Sequence, residues 1–140
     1  MGGRFKNVNR ERLTINIQDS LINNIFNVNQ EEDIPLIAGI LFRRLIFLRI
    51  ISSWGLIPDL LDYIYNIDNM DMNHRMKQLF FGILDTEPDD RHAIPKVLEE
   101  LPYLNGGLFR RSRIERENLD LEINATNIRN IIEFLKDYNL

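Results

Sequence analysis

The residues that come nearest to a catalytic pattern in this sequence are carboxylates and lysines of the kind that hold magnesium in nucleases. Such a site commonly combines a Pro-Asp step with an acid-any-Lys triplet further along the chain. Pro88-Asp89 supplies the first half. Ile94 stands where the acid should precede Lys96, and Glu133 lies one residue too far from Lys136. A small magnesium-dependent nuclease is therefore only the third-ranked interpretation.

Other patterns for catalysis or cofactor binding do not occur in the sequence. The chain has no cysteine, which excludes disulfides, thiolate zinc sites and a cysteine nucleophile. His74 and His92 are the only histidines, and neither has a second histidine at helical spacing with which to share a metal. The glycine pairs Gly2-Gly3 and Gly106-Gly107 do not lie between a strand and a helix, as a nucleotide or S-adenosylmethionine loop would. We expect no catalytic residue, cofactor or metal in this chain.

Arginines form the densest basic cluster between residues 110 and 116. Glu115 and Glu117 interrupt this cluster, which favours a solvated loop over a DNA contact. The net charge of −4, from 21 acidic and 17 basic residues, argues against a free-standing DNA-binding protein, because such affinity comes from cations that displace the counterions of phosphates. Any DNA contact is expected to be weak and local. The candidate residues for it are Arg110, Arg111, Arg113 and Arg116.

The elements that would position these residues are mostly helices. The longest apolar stretch, Ile34 to Trp54, approaches the length that crosses a membrane, but three arginines inside it make a buried core helix the better interpretation. Asp33 is expected to cap this helix and Gly55 to stop it. We expect it to be the most buried element, so that Ile40→Ala or Phe47→Ala would cost about 2–5 kcal/mol.

The rest of the sequence predicts shorter elements around that helix. Apolar residues recur at helical spacing in five further segments: 21–26, 60–65, 72–84, 97–101 and 128–135. Asp19 or Ser20 could cap the first of them and Thr126 the last. Residues 13–17 and 119–123 alternate as short strands would. The predicted fold class is mostly α, a compact helical bundle with at most one small two-stranded β element. Residues 1–17 form an N-terminal extension or strand, and residues 18–140 the helical domain.

The Asn105-Gly106-Gly107 step can reverse the backbone tightly, because glycine allows positive φ at successive residues. Apolar residues flank the step on both sides: Tyr103, Leu104, Leu108 and Phe109. We expect the loop to bring them onto one apolar surface and to close over the helices as a plug. An ordinary turn would have the same local shape.

Two segments carry a resemblance to a known family. Residues 41–49, followed by residues 54–58, resemble the "RLIFLR…GLI" helix of large single-chain restriction–modification enzymes of the type IIG class. Residues 101–109 resemble the "PYLNGGLF" loop that follows this helix in those enzymes and in related large class I DNA methyltransferases. The resemblance covers roughly residues 18–140. The residues that carry it, in a structural role, are Arg44, Phe47, Arg49, Tyr103, Asn105, Gly106, Gly107 and Phe109.

This resemblance implies a non-catalytic helical connector that positions a methyltransferase domain and a target-recognition domain against DNA. Its partners would be the domains or subunits of such an enzyme, in the cytoplasm and not at a membrane. The family's "G-x-Y-T-P" step, S-adenosylmethionine loop and "N-P-P-[YF]" motif are not in this sequence. A fragment, a split subunit and a decayed gene all remain open. The alternative is a stand-alone helical protein that regulates a restriction or phage-defence system by binding its enzyme.

The chain departs from the family inside this helix. The family commonly has an acidic residue before the glycine, whereas residues 50–53 of this sequence contain none. An ion pair between such an acid and a neighbouring arginine is therefore in doubt. Carboxylates or helix-end carbonyls elsewhere in the bundle are expected to satisfy Arg43, Arg44 and Arg49, because a buried unpaired charge is costly. A DNA contact is the second interpretation of these arginines.

Overall fold

Helices make up most of the computed structural model, which describes residues 14–15 and 33–137. Two short strands, Thr14–Ile15 (β1) and Glu122–Ile123 (β2), pair in parallel, with Thr14 beside Glu122 and Ile15 beside Ile123. The α-helices are Asp33–Ser53 (α1), Leu60–Tyr65 (α2), Met72–Lys77 (α3), Arg113–Glu117 (α4) and Ala125–Asp137 (α5). The prediction of a mostly α fold with one small two-stranded element is confirmed. The helix predicted at residues 21–26 lies outside the described residues.

Helix α1 follows the predicted apolar stretch almost residue for residue. Its last residue is Ser53, and Gly55, whose φ is +76°, stops the helix as expected. The N–H of Leu56 donates to the carbonyl of Ile51 at 3.1 Å, and the N–H of Gly55 donates to that of Ser52 at 3.0 Å. This pair of bonds is a Schellman C-cap, which needs a residue in the left-handed region. No helix in residues 33–137 is long and apolar enough to cross a membrane.

Helix α1 is buried along one face and accessible along another. Its inner face lies in the core and contains Ile37, Ala38, Leu41, Leu45, Leu48 and Ile51. On the opposite face Leu36 is 52% exposed, and just beyond the helix end Trp54 is 69% exposed. Ile40 and Phe47 are half-buried. Helices α2 and α5 pack against α1, and the ring of Phe47 lies beside Phe109, but Leu36 and Trp54 stay accessible. An apolar sequence all round a helix therefore does not mean that neighbours cover every side of it.

Helix α3 continues as a π-helix over Gln78–Leu84. All six apolar residues that predicted this helix are buried: Met72, Met76, Leu79, Phe80, Ile83 and Leu84. The change from α to π was not predicted. The N–H of Asp85 donates to the carbonyl of Phe80 at 3.0 Å, five residues back, and the hydroxyl of Thr86 donates to that of Phe81 at 2.7 Å. These bonds complete the wider turn.

Asn124, not Thr126, caps helix α5. Its side-chain oxygen accepts the N–H groups of Thr126 at 2.9 Å and Asn127 at 3.4 Å. The helix begins at Ala125, so Thr126 already lies inside the first turn, where its hydroxyl cannot accept those bonds. The predicted apolar face is confirmed, since Ile128, Ile131, Ile132 and Leu135 are all buried.

Helix α5 is tied to the end of α2 through one arginine. Arg129 donates from Nε to the carbonyl of Tyr65 at 3.0 Å and from Nη2 to that of Ile67 at 2.6 Å. Its Nη1 also donates to Asn69. These bonds satisfy carbonyls at the C-terminus of α2 that have no partner within the helix.

Two shorter predicted elements are smaller than expected. The helix predicted at residues 97–101 is a 3-10 turn over Lys96–Leu98, which follows another such turn at Pro88–Asp90. Val97 is exposed there, while Leu98 and Leu101 are buried. The strand predicted at residues 119–123 is limited to β2, and Leu119 is exposed. Each segment has two buried apolar side chains: Leu98 and Leu101 in the first, Leu121 and Ile123 in the second.

Candidate functional site around Arg44

Arg44 lies at the middle of α1 and is 3% exposed. Its guanidinium makes four hydrogen bonds. Nε donates to the carbonyl of Leu108 and Nη2 to that of Arg110, each at 2.8 Å. Nη1 and Nη2 donate to the two carboxylate oxygens of Glu115, at 2.8 and 3.0 Å. This two-pronged pair is the strongest geometry available to an arginine and a carboxylate, and it ties α1 to two segments more than sixty residues away.

Helix α4 places Glu115 for this contact through its capping box. The hydroxyl of Ser112 accepts the N–H of Glu115 at 3.3 Å, and a carboxylate oxygen of Glu115 accepts the N–H of Ser112 at 2.9 Å. Burial raises the pKa of Glu115, but hydrogen bonds and charge from Arg44, with further bonds from Ser112, bring that pKa below its ordinary value. The carboxylate is therefore held ionised against Arg44.

Aromatic rings enclose the other side of the Arg44 guanidinium. Its central carbon lies 5.5 Å from the ring centre of Phe80 and 5.2 Å from that of Phe81. Phe109 is fully buried, with its ring centre 5.5 Å from Phe80 and 6.2 Å from Phe47. Phe80 and Phe81 add cation–π attraction to the Arg44 guanidinium.

The loop over residues 101–109 packs against the helices, as the plug interpretation expected. Phe109 is fully buried, and Leu104 and Leu108 pack against the core. The N–H of Leu104 donates to the carbonyl of Leu84 at the end of the π-helix, at 2.8 Å. Of the two glycines that allow positive φ, only Gly107 has it, at +84°. One left-handed residue is enough to turn Phe109 back into the core.

The other two arginines of α1 have different surroundings. Arg49 donates from Nε to the carbonyl of Leu135 in the last turn of α5, at 3.2 Å. The expectation that carboxylates or helix-end carbonyls satisfy these arginines is therefore confirmed for Arg44 and Arg49. It is wrong for Arg43, which is exposed and makes no ion pair with any residue of the described ranges.

The basic cluster at residues 110–116 is solvated as expected, but only residues 110–112 are loop, because α4 begins at Arg113. Its four arginines are all exposed. Arg111 lies over the ring of Phe81 at 4.3 Å, and Arg113 pairs with Glu117 at 2.8 Å. Arg116 donates to the carbonyl of Arg111 at 2.8 Å. A DNA contact by Arg110, Arg111, Arg113 and Arg116 stays a prediction.

Other family-motif residues lie on the surface of the loop. The hydroxyl of Tyr103 donates to the side-chain oxygen of Asn105 at 3.3 Å, and Gly106 and Gly107 are exposed. The structure thus brings Arg44, Phe47 and Phe109 together and leaves the remaining motif residues apart from them. The motif residues that do converge act in packing.

Sequence reasoning missed four residues of this site: Ser112, Glu115, Phe80 and Phe81. The signal for Glu115 was present, because Ser112-Arg113-Ile114-Glu115 is the S-x-x-E pattern of a capping box. It was interpreted as an acid that interrupts a basic cluster. The apolar pattern includes Phe80 in the helix face and leaves Phe81 out, and the π-helix that brings both to one arginine has no sequence signature of its own.

The chemistry of this site is structural. The buried guanidinium and carboxylate satisfy each other, and a guanidinium in a protein does not release its proton. His74 and His92 are exposed. Within the described ranges no group of three histidine, aspartate or glutamate side chains lies close enough to hold a metal ion. The fold and this site define a helical module whose polar centre holds three segments of chain together.

Comparisons with known proteins place this module in a family. The chain belongs to the family described as "Domain of unknown function (DUF7814)", whose sequence profile matches residues 5–139. It is also 34% identical, over 119 residues, to a Methanocaldococcus jannaschii protein named "Putative type II restriction enzyme and methyltransferase RM.MjaORFECS2P". That match covers 77% of this chain and 10% of the relative, so the chain spans about a tenth of the relative's length. No solved structure matches the chain.

Proposed function

We propose that this chain is a non-catalytic helical connector of a DNA restriction–modification methyltransferase, which positions the methyltransferase and target-recognition domains. The observation that carries the proposal is the similarity to one tenth of a much longer protein whose name combines a restriction enzyme with a methyltransferase. A segment of that size within a chain of that length is of the order of one domain. The resemblance of residues 41–58 and 101–109 to the linker of type IIG enzymes supports the same role.

The geometry suits a connector because it joins distant segments rigidly. Arg44 fixes the middle of α1 to the loop at Leu108 and to α4 at Glu115. Arg129 fixes α5 to the end of α2. Helix α1, with 21 residues, is about 30 Å long. A stiff element of this length can hold two domains at a set distance.

An exchange of segments in the Methanocaldococcus jannaschii relative tests the proposal. Three proteins are compared: the intact relative, a deletion of the 119-residue matching segment, and a chimera that has this chain in its place. DNA methylation is measured by transfer of a labelled methyl group. We expect the deletion to lose methylation and the chimera to recover a measurable part of it. A Leu45→Ala chimera, with its core disrupted, is the control that should recover less.

The isolated chain provides the second arm of that test. It should neither transfer methyl groups nor bind S-adenosylmethionine, because its sequence has no glycine-rich cofactor loop. Saturable calorimetric binding at micromolar cofactor would contradict the connector role. A deletion protein that methylates DNA as well as the intact relative would contradict it too.

The exposed Trp54 and Leu56, 69% and 66% accessible, favour one alternative function. Large apolar side chains at one exposed corner are typical of a protein–protein contact. A stand-alone regulator would use them to bind a restriction enzyme in trans. Addition of the separate chain to the intact relative distinguishes the two functions, because a regulator should change its methylation rate and a connector should not.

A further inference from the structure

The outer face of α1, continued by Trp54 just beyond the helix end, carries an apolar stripe that no described element covers completely. Its positions are separated by four, three, four, three and four residues, and we call them the outer stripe: Leu36, Ile40, Arg43, Phe47, Ile50 and Trp54. Alternating steps of three and four residues are the spacing that a second helix needs to pack along a seam. Five of the six side chains are apolar. A solvated helix face would be polar instead.

The accessibility of the outer stripe is greatest at its two ends. Leu36 is 52% exposed and Trp54 is 69% exposed, while Ile40 and Ile50 are half-buried. Phe47 is half-buried too, because one side of its ring lies beside Phe109. Near Leu36 the stripe borders a groove of about 260 Å³, whose other wall is formed by residues 112–114. This shallow, open groove leaves room for an apolar side chain of a partner beside Leu36.

Arg43 gives the outer stripe its charge preference. It lies at the centre of the stripe, exposed, and its guanidinium folds back over Gly39, where an added Cβ would stand 3.2 Å from Nη1. Within residues 33–137 no carboxylate pairs with it. A cation covered by an apolar partner needs an opposing charge, since its burial alone is costly.

We propose that the outer stripe is the docking face for one amphipathic helix of the methyltransferase protein that this connector serves. That helix would present apolar residues at the same alternating spacing and one carboxylate opposite Arg43. The inference rests on the proposed function and specifies where the larger protein contacts the connector. In the relative, nine tenths of the polypeptide lie outside the matching segment and can supply such a helix.

Charge argues for this partner over a second copy of the chain. Helix α1 contains no aspartate or glutamate after Asp33, at its first residue. Two copies packed stripe to stripe would therefore bring two Arg43 side chains into the contact, and neither α1 has an acid after Asp33 to oppose them. A partner helix with a central carboxylate satisfies Arg43 and also rejects wrong partners.

Stapled peptides test the docking face without the larger protein. Two fluorescein-labelled helical peptides of 21 residues carry leucines at the alternating spacing and differ only in one central residue, glutamate or lysine. Binding to the full chain is measured by fluorescence anisotropy. We expect the glutamate peptide to bind about tenfold more tightly than the lysine peptide. Arg43→Glu should reverse this preference, whereas Lys136→Glu, the same charge change on α5, should keep it.

Folding and self-association are controlled in the same experiment. Arg43→Glu should unfold at the parent temperature, because the side chain is exposed and makes no ion pair with the described residues. The paired substitution Leu36→Ser with Trp54→Ser should weaken both peptides together. Binding that ignores the central charge would overturn the proposal, as would absence of binding or a dimer of the chain that the paired substitution dissolves. The two proposals can fail separately. If the chimera does not methylate DNA but the peptides bind with the expected charge preference, the connector role is contradicted and the docking face is retained.

Discussion

Arg43 and Arg44 are adjacent on α1, yet one is exposed and the other is among the most buried residues of the chain. Arg44 faces Glu115 and two loop carbonyls, and Arg43 faces solvent. The inner and outer faces of α1 differ in the same way, although both are apolar in sequence. Burial on this helix is therefore decided by what packs against each face, and not by the hydrophobicity of the helix.

The largest contrast between the two faces should come from leucines. Leu45 is fully buried, while Leu36 is 52% exposed. Leu45→Ala should lower the free energy of unfolding by about 3–4 kcal/mol, through lost burial and the cavity that it leaves. Leu36→Ala should cost under about 1 kcal/mol, because its side chain is already half in water. Urea denaturation of both variants measures the difference, and equal losses would remove the distinction between the faces.

The adjacent arginines Arg43 and Arg44 should show the next largest contrast in stability. Arg44→Met removes the partner of a carboxylate whose side chain is only 17% exposed, and it should cost about 3 kcal/mol. Arg43→Met should change stability by less than about 0.5 kcal/mol. A double-mutant cycle of Arg44→Met with Glu115→Gln should give a large coupling energy, because the second change relieves the unpaired charge. A coupling near zero would mean that Arg44 acts through packing alone.

Low pH should lower the free energy of unfolding because it protonates Glu115, the partner of Arg44 on the inner face. Its pKa is lower in the folded chain than the ordinary value of 4.5. The ionised pair therefore contributes its full stabilisation above about pH 4.5, and this contribution is lost as the pH falls through the lowered folded pKa. Glu115→Gln should lose less stability than the parent between about pH 6 and about pH 3. If the free energy of unfolding falls equally with pH in the parent and in Glu115→Gln, other carboxylates cause the acid sensitivity.

The smallest contrast concerns the start of α5. Asn124→Ala removes the N-cap and should cost about 1 kcal/mol, while Thr126→Ala, inside the first turn, should cost only a few tenths. Thermal unfolding of the two variants compares them. A larger loss of stability for Thr126→Ala than for Asn124→Ala would mean that Thr126 caps α5, as the sequence predicts.

Periodicity was enough to predict the apolar faces of α3 and α5, because each has a single stripe that can only point inward. It could not orient α1, where apolar residues occur on every side and no stripe is distinguished. Trp54 was assigned to the core for this reason and is exposed.

The candidate site was harder to predict because its two halves are far apart in the sequence. Arg44 and Glu115 are 71 residues apart. The capping box at Ser112 could have revealed α4, but nothing in the sequence says that the carboxylate of this box also reaches an arginine on another helix. The π-helix that places Phe80 and Phe81 beside Arg44 depends on tertiary packing.

Methylation by the relative chimera with Leu36→Ser and Trp54→Ser on its outer stripe tests the account most directly. The account predicts that this paired substitution leaves the isolated chain folded, with a melting temperature only a few degrees below that of the parent, and removes the methylation that the parent chimera recovers. The inner face would then hold the module together while the outer face joins it to the enzyme. Full methylation by the substituted chimera would contradict the account, because the outer face of α1 would then play no part in the assembly.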